Sequence, residues 1–228
     1  MFEDWVALGY LLSAALFIFG LKKLGHPRTA PKGNQYGMMG MAVAVLTTVA
    51  DMHLDGGITG WIIIGSGLLI GSTIGYIMAV KVEMTGMPEM VALFNGFGGA
   101  ASALVALSET WKWIEENAAP EPSLGTTVAV VAAGLSALVG WMTLTGSLLA
   151  MYKLNGGVEI FGKWIRTPTW GPGWLNPVKA LLFVGVLALI YLSIEDPLNT
   201  EYIWAIIGIS CILGIVLVLP IGGADMPV

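Results

Sequence analysis

Charge is scarce in this sequence: 10 Lys and Arg and 15 Asp and Glu among 228 residues, 11% in all, where a soluble domain carries roughly 25%. So little charge excludes a soluble globular enzyme, and the apolar content excludes disorder. The acids outnumber the bases, so no positive field exists to gather nucleic acid. A single cysteine, Cys211, forms no internal disulfide and reads as a small packing residue within an apolar run. Apolar bulk takes the place of charge. Hydrophobic residues make up 56% of the chain, glycine supplies 31 positions, and mean hydropathy is +0.81. Several apolar runs approach the roughly 20 residues needed to cross a bilayer. This is the composition of a polytopic membrane protein.

Apolar runs bounded by charges, proline or glycine clusters predict an all-α bundle of seven transmembrane helices. They fall at 5–21, 35–53, 61–80, 87–108, 126–152, 178–194 and 202–219, within one transmembrane domain spanning 1–228. The second is the weakest, because it opens on polar residues and its clean apolar stretch is short. The first carries Glu3 and Asp4 where a signal peptide would be positive, and no small-residue cleavage site follows, so it counts as a span. Threading seven helices places Lys22, Lys23, Arg28, Lys32, Lys81, Lys153, Lys163, Arg166 and Lys179 on one side and only Lys112 on the other. The positive-inside rule makes the basic side cytoplasmic, with the N-terminus outside and the C-terminus inside. Tryptophans agree: Trp5, Trp61, Trp111, Trp113 and Trp204 mark the outer interface, and Trp164, Trp170 and Trp174 the inner one. Trp141 alone falls near mid-membrane. The loop 153–179 mixes Val158, Ile160, Phe161, Trp164 and Ile165 with basic residues, and is expected to lie among the lipid headgroups.

Helices in lipid associate through close backbone approach, which small residues permit. Gly67, Gly71 and Gly75 form one such ridge, and Gly98 to Ala103 leave the fourth helix thin. Residues 96–101 also match the dinucleotide pattern G-x-G-x-x-A, but no strand precedes them, so the match is discounted. The span centres hold no Asp, Glu, Lys, Arg or His, the groups an ion-moving protein usually shows there. Asp51, His53 and His26 read as interfacial or solvated. The informative polar residue is Asn95, which shares a helix face with Gly98, Gly99 and Ser102 at i, i+3, i+4 and i+7. An amide there must face other helices or a wet gap, since lipid would leave it unpaired. It can orient a water or an imidazole through donor and acceptor alike, though it cannot titrate; an interhelical hydrogen bond explains it equally well. Thr143, Thr145, Ser147, Ser66, Ser72 and Thr73 are weaker candidates, because helix hydroxyls often bond back to carbonyls.

Ahead of the fourth helix the chain reads Val82-Glu83-Met84-Thr85-Gly86-Met87-Pro88-Glu89-Met90-Val91-Ala92-Leu93-Phe94-Asn95. Pro88 suits a first helical turn, where a missing N–H costs nothing, and Glu89 suits the free N–H groups of that turn. After the seventh helix comes Pro220-Ile221-Gly222-Gly223-Ala224-Asp225-Met226-Pro227-Val228. By the same logic Pro227 is expected to open an eighth helix, as in a fragment of a longer chain. These two stretches, together with Leu144-Thr145-Gly146-Ser147, resemble the membrane domain of the β subunit of proton-translocating NAD(P)⁺ transhydrogenase, in order and across the whole chain.

The resemblance implies a membrane domain that couples proton entry into the cytoplasm to hydride transfer from NADH to NADP⁺. NAD(H) and NADP(H) would sit on other domains of the complex, and this chain alone would not catalyse the transfer. It further implies a bacterial cytoplasmic membrane, α-type partner subunits (one of them in the membrane), an NADP(H)-binding domain and a dimer of the whole complex. Many members carry a histidine where this sequence has Asn95. In members with asparagine there, a histidine of the α-type membrane subunit is thought to face the same channel. Asn95, Ser147 and Ser102 are thus expected along the proton pathway, and Glu83 and Asp225 in loops that face the NADP(H) domain. No metal is expected. Two other classes fit the composition: a stand-alone secondary transporter, and a non-conducting scaffold of a membrane complex.

Overall fold

In the computed structural model, which describes residues 2–51, 57–116, 123–156, 158–160, 163–165 and 169–222, each apolar run becomes a helix. These are α1 (Phe2–Leu24), α2 (Ala30–Asp51), α3 (Gly57–Lys81), α4 (Met87–Glu115), α5 (Leu124–Leu154), α6 (Leu175–Glu195) and α7 (Thr200–Val218). Most outrun the predicted segments, since helical hydrogen bonding continues into polar flanks after the apolar run has ended. The end of α1 includes Lys22 and Lys23, and α4 runs on through Lys112. Among the described residues, six helices are long and apolar enough to cross a membrane; α2, opening on Lys32, Asn34 and Gln35, is not among them. The all-α expectation needs one addition. Val158–Ile160 (β1) and Lys163–Ile165 (β2) pair antiparallel, with Val158 opposite Ile165 and Ile160 opposite Lys163. Within the loop 153–179, the β-branched residues Val158, Ile160 and Ile165 favour this extended form. His53, Asp225 and Pro227 lie outside the described residues.

The chain divides into two compact units, 1–79 and 80–228. In the first, α1 and α2 run antiparallel. The corner between them is held by Thr29, whose hydroxyl donates to the Lys23 carbonyl at 2.5 Å. Ser13 Oγ donates to the Gly40 carbonyl at 2.8 Å, and Tyr10 Oη donates to Thr48 Oγ1 at 3.2 Å. On α3 the hydroxyls of Ser66, Ser72 and Thr73 bond back to carbonyls of their own helix. The ridge of Gly67, Gly71 and Gly75 meets nothing within 4 Å. Apolar side chains on α3 stand outward, Leu69 being 70% exposed. In water that display would be untenable; in lipid it costs nothing.

The second unit is built around α5. Leu138 of α5 packs with Val186 and Ile190 of α6 and with Ile206 and Leu213 of α7, forming its buried core. Ser123 caps α5 by accepting from Thr126 N at 3.1 Å, and Asn199 caps α7 by accepting from Glu201 N at 3.1 Å. Pro88 stands at the start of α4, with Glu89 in its first turn. A close approach joins α4 to α5: a Cβ on Gly140 would lie 2.5 Å from the Gly99 carbonyl oxygen and 2.7 Å from Ala103 Cβ. A similar constraint holds α7, because a Cβ on Gly214 would collide with Thr145 Oγ1 and the Met142 carbonyl. Gly98, one residue before Gly99, meets nothing within 4 Å. Overpacking costs about 1–3 kcal/mol, so Gly140→Val is expected to lower the thermal midpoint of the detergent-purified protein clearly, whereas Gly98→Ala leaves it within error.

Candidate functional site

The approach at Gly99 and Gly140 sets the register of α4 on α5, and register decides which polar side chains meet. Four residues further towards the N-terminus of α4, Asn95 Nδ2 donates to Ser147 Oγ of α5 at 2.9 Å. Gly96 makes room for this contact: a Cβ there would lie 3.1 Å from Ser147 Cβ. Ser147 is buried, whereas Asn95 is exposed on the open side. That side is a groove of about 670 Å³ between the two helices, lined by Asn95, Gly98, Gly99 and Ser102 from α4 and by Ser136, Gly140 and Thr143 from α5. A second cavity of about 250 Å³ continues past Ser102 and Ser136 to Trp113. The four α4 residues on one predicted face thus share one groove, with Ser147 joined to it through Asn95.

The dinucleotide-like residues 96–101 lie inside this helix, and Gly96 and Gly99 serve helix packing. They lack the strand and turn that a pyrophosphate cradle needs. Glu83 is elsewhere: it is exposed at the start of the short 3₁₀ segment Met84–Gly86, where its carbonyl accepts from Gly86 N at 3.0 Å. Asn95 stands eight residues beyond the start of α4, or about 12 Å along a helix, so Glu83 is not brought into the groove. Asp225 lies outside the described residues. Thr145 bonds back to the Trp141 carbonyl at 3.1 Å but also donates to the Cys211 carbonyl of α7 at 2.9 Å, a helix-to-helix tie.

Ser136 was not singled out by the sequence, although the signal was present. Ser136, Gly140 and Thr143 fall at i, i+4 and i+7 on α5, the same kind of stripe that marks α4 around Asn95. Trp141, expected near mid-membrane, borders a separate void of about 40 Å³, and its indole Nε1 is buried without a hydrogen-bond partner.

Apolar helices of spanning length, packed through glycine and enclosing polar contacts between them, define a multi-pass membrane protein. Comparison with known proteins narrows this further. Residues 6–228 match the family model described as NAD(P) transhydrogenase beta subunit. The chain is 38% identical over 221 residues to NAD(P) transhydrogenase subunit beta of Rhodospirillum rubrum, covering 96% of this chain and 44% of that protein. An equally similar protein of the same description occurs in a named strain of that species. The chain therefore belongs to the NAD(P) transhydrogenase β-subunit family, and it spans less than half the length of these relatives.

If the Asn95–Ser147 contact is a true tie between helices, the two side chains are energetically coupled. A double-mutant cycle on thermal stability, with Asn95→Ala, Ser147→Ala and the pair, is expected to give a coupling of about 0.5–1.5 kcal/mol. The pair Ser102→Ala and Ser147→Ala should be additive.

Proposed function

We propose that this chain is the membrane domain of a proton-translocating NAD(P)⁺ transhydrogenase, and that the α4/α5 groove is one wall of the proton path. The observation that carries the reading is the Asn95–Ser147 hydrogen bond on the edge of a groove lined further along by Ser102, Ser136 and Thr143. A row of polar groups open to lipid would be expensive. In the assembled complex the groove is therefore covered, either by the remainder of a full-length β chain or by the α-type membrane subunit. Neither an amide nor a hydroxyl titrates near neutral pH. Their task on this reading is to hold and orient water, while a titrating group is supplied from the covering side.

Hydride transfer between two nicotinamides is nearly balanced, so favouring NADPH needs an external drive. One charge crossing the membrane supplies about 2.3 kcal/mol per 100 mV, enough to shift a ratio more than tenfold. Protons entering the cytoplasm deliver that energy only if proton occupancy favours one conformation that the NADP(H) domain can sense. Glu83, ahead of α4, and Asp225, which follows α7 in the sequence, are the groups of this chain assigned to that contact. On this reading the side with the basic loops faces the cytoplasm of a bacterial inner membrane, and α-type subunits and a dimer of the complex complete the assembly.

The test uses the complete complex, full-length β chain and α-type subunits, in proteoliposomes. Asn95→Ala is expected to lower proton movement at least tenfold while nucleotide exchange confined to the peripheral domains survives. Undiminished pumping in Asn95→Ala would make Asn95 a structural tether and move the proton route to the partner subunit.

A further inference from the structure

Lys153 was counted among the basic residues flanking the loop after α5, yet it does not stand in solvent. It is 5% exposed. Its ammonium nitrogen donates to the carbonyl oxygens of Val218 at 3.1 Å, Leu219 at 2.5 Å and Ile221 at 2.8 Å. A helix ends with carbonyls that have no partner within the helix, and these are the last carbonyls of α7 and of the turn beyond it. An ammonium has three N–H donors, and here each has an acceptor. Burying a charged amine is costly unless its donors are answered, so the position is tenable only while this turn keeps its shape.

The same helix carries Ser147, six residues earlier or about 9 Å along the axis. Just before Ser147, α5 and α7, which run parallel, are tied at Thr145 to Cys211 and at Gly146, where a Cβ would lie 3.3 Å from the Gly214 carbonyl oxygen. One stiff rod therefore bears both the hydroxyl that receives Asn95 and the amine that holds the chain leaving α7. We propose that Lys153 is a positioning residue that clamps residues 218–221 to α5, so that a displacement of α5 at Ser147 is passed to the segment leading to Asp225. The role rests on the proton-path reading of the α4/α5 groove; the clamp itself does not.

The test uses the complete complex in proteoliposomes, with Ile221→Cys as a reporter in a Cys211→Ala background. The Ile221 side chain is 41% exposed, so its replacement is open to a water-soluble maleimide. Lys153→Met is expected to raise the labelling rate at least threefold and to lower protons moved per hydride transferred at least fivefold. Lys153→Arg, which keeps charge and donors, should restore at least half of both. If Lys153→Met does not accumulate in the membrane, Lys153→Gln takes its place with the same expectations. Unchanged labelling overturns the clamp. Raised labelling with an unchanged proton-to-hydride ratio overturns the coupling role and leaves a helix cap only. Asn95→Leu, run alongside, separates the two readings: if it pumps fully, the groove reading fails, while the labelling data still decide the clamp.

Discussion

Contact between two backbones, at Gly99 of α4 and Gly140 of α5, is the constraint on which the rest of this unit depends. Neither glycine has a side chain to hold the main chains apart, and Thr143 and Ala103 pack directly against them. That closeness fixes the register in both directions along the pair. In one direction it brings Asn95 within hydrogen-bonding distance of Ser147. In the other it seats Ala103, fully buried, against Gly140. A bilayer supplies no hydrophobic drive for helix association, so dispersion at such contacts, aided by a few hydrogen bonds, has to hold the bundle.

The central helix works because neighbouring residues on it serve different partners. Ser147 answers α4, while Gly146 and Thr145 answer α7. Three consecutive positions thus fasten two helices to a third. A helix held this way does not move independently of its neighbours, and any change at Asn95 is felt as a change in the packing of α5. The core formed by Leu138, Val186, Ile190, Ile206 and Leu213 adds bulk on the α6 and α7 side only, which leaves the α4 side for the groove.

Much of this was legible in the sequence. Apolar runs marked every helix, because length and hydropathy are sufficient where the surroundings are uniform. Pro88 and Glu89 announced the start of α4. The stripe of Asn95, Gly98, Gly99 and Ser102 was visible from spacing alone. Other features were not, because they depend on which helix faces which. Spacing cannot say that Gly99 is used for contact while Gly98 opens onto the groove, or that Gly67, Gly71 and Gly75 of α3 meet nothing within 4 Å. Lys153 looked like any loop-flanking base; its burial follows from where α7 happens to end. The pairing of β1 with β2 was hidden by a composition that suits a headgroup-bound segment equally well. Beyond the fold, belonging to the transhydrogenase family gives the groove a meaning that its geometry alone would not.

The parallel course of α5 and α7 has an electrostatic side. Each helix carries the equivalent of about half a negative charge at its C-terminal end. Two helices that run parallel and finish at the same level place these like poles next to each other, at the very turn where Lys153 is buried. One ammonium carries about as much positive charge as the two poles together are negative. The amine thus offsets the repulsion between these two helix ends, and carbonyls at residues 218, 219 and 221 answer its charge in place of a carboxylate.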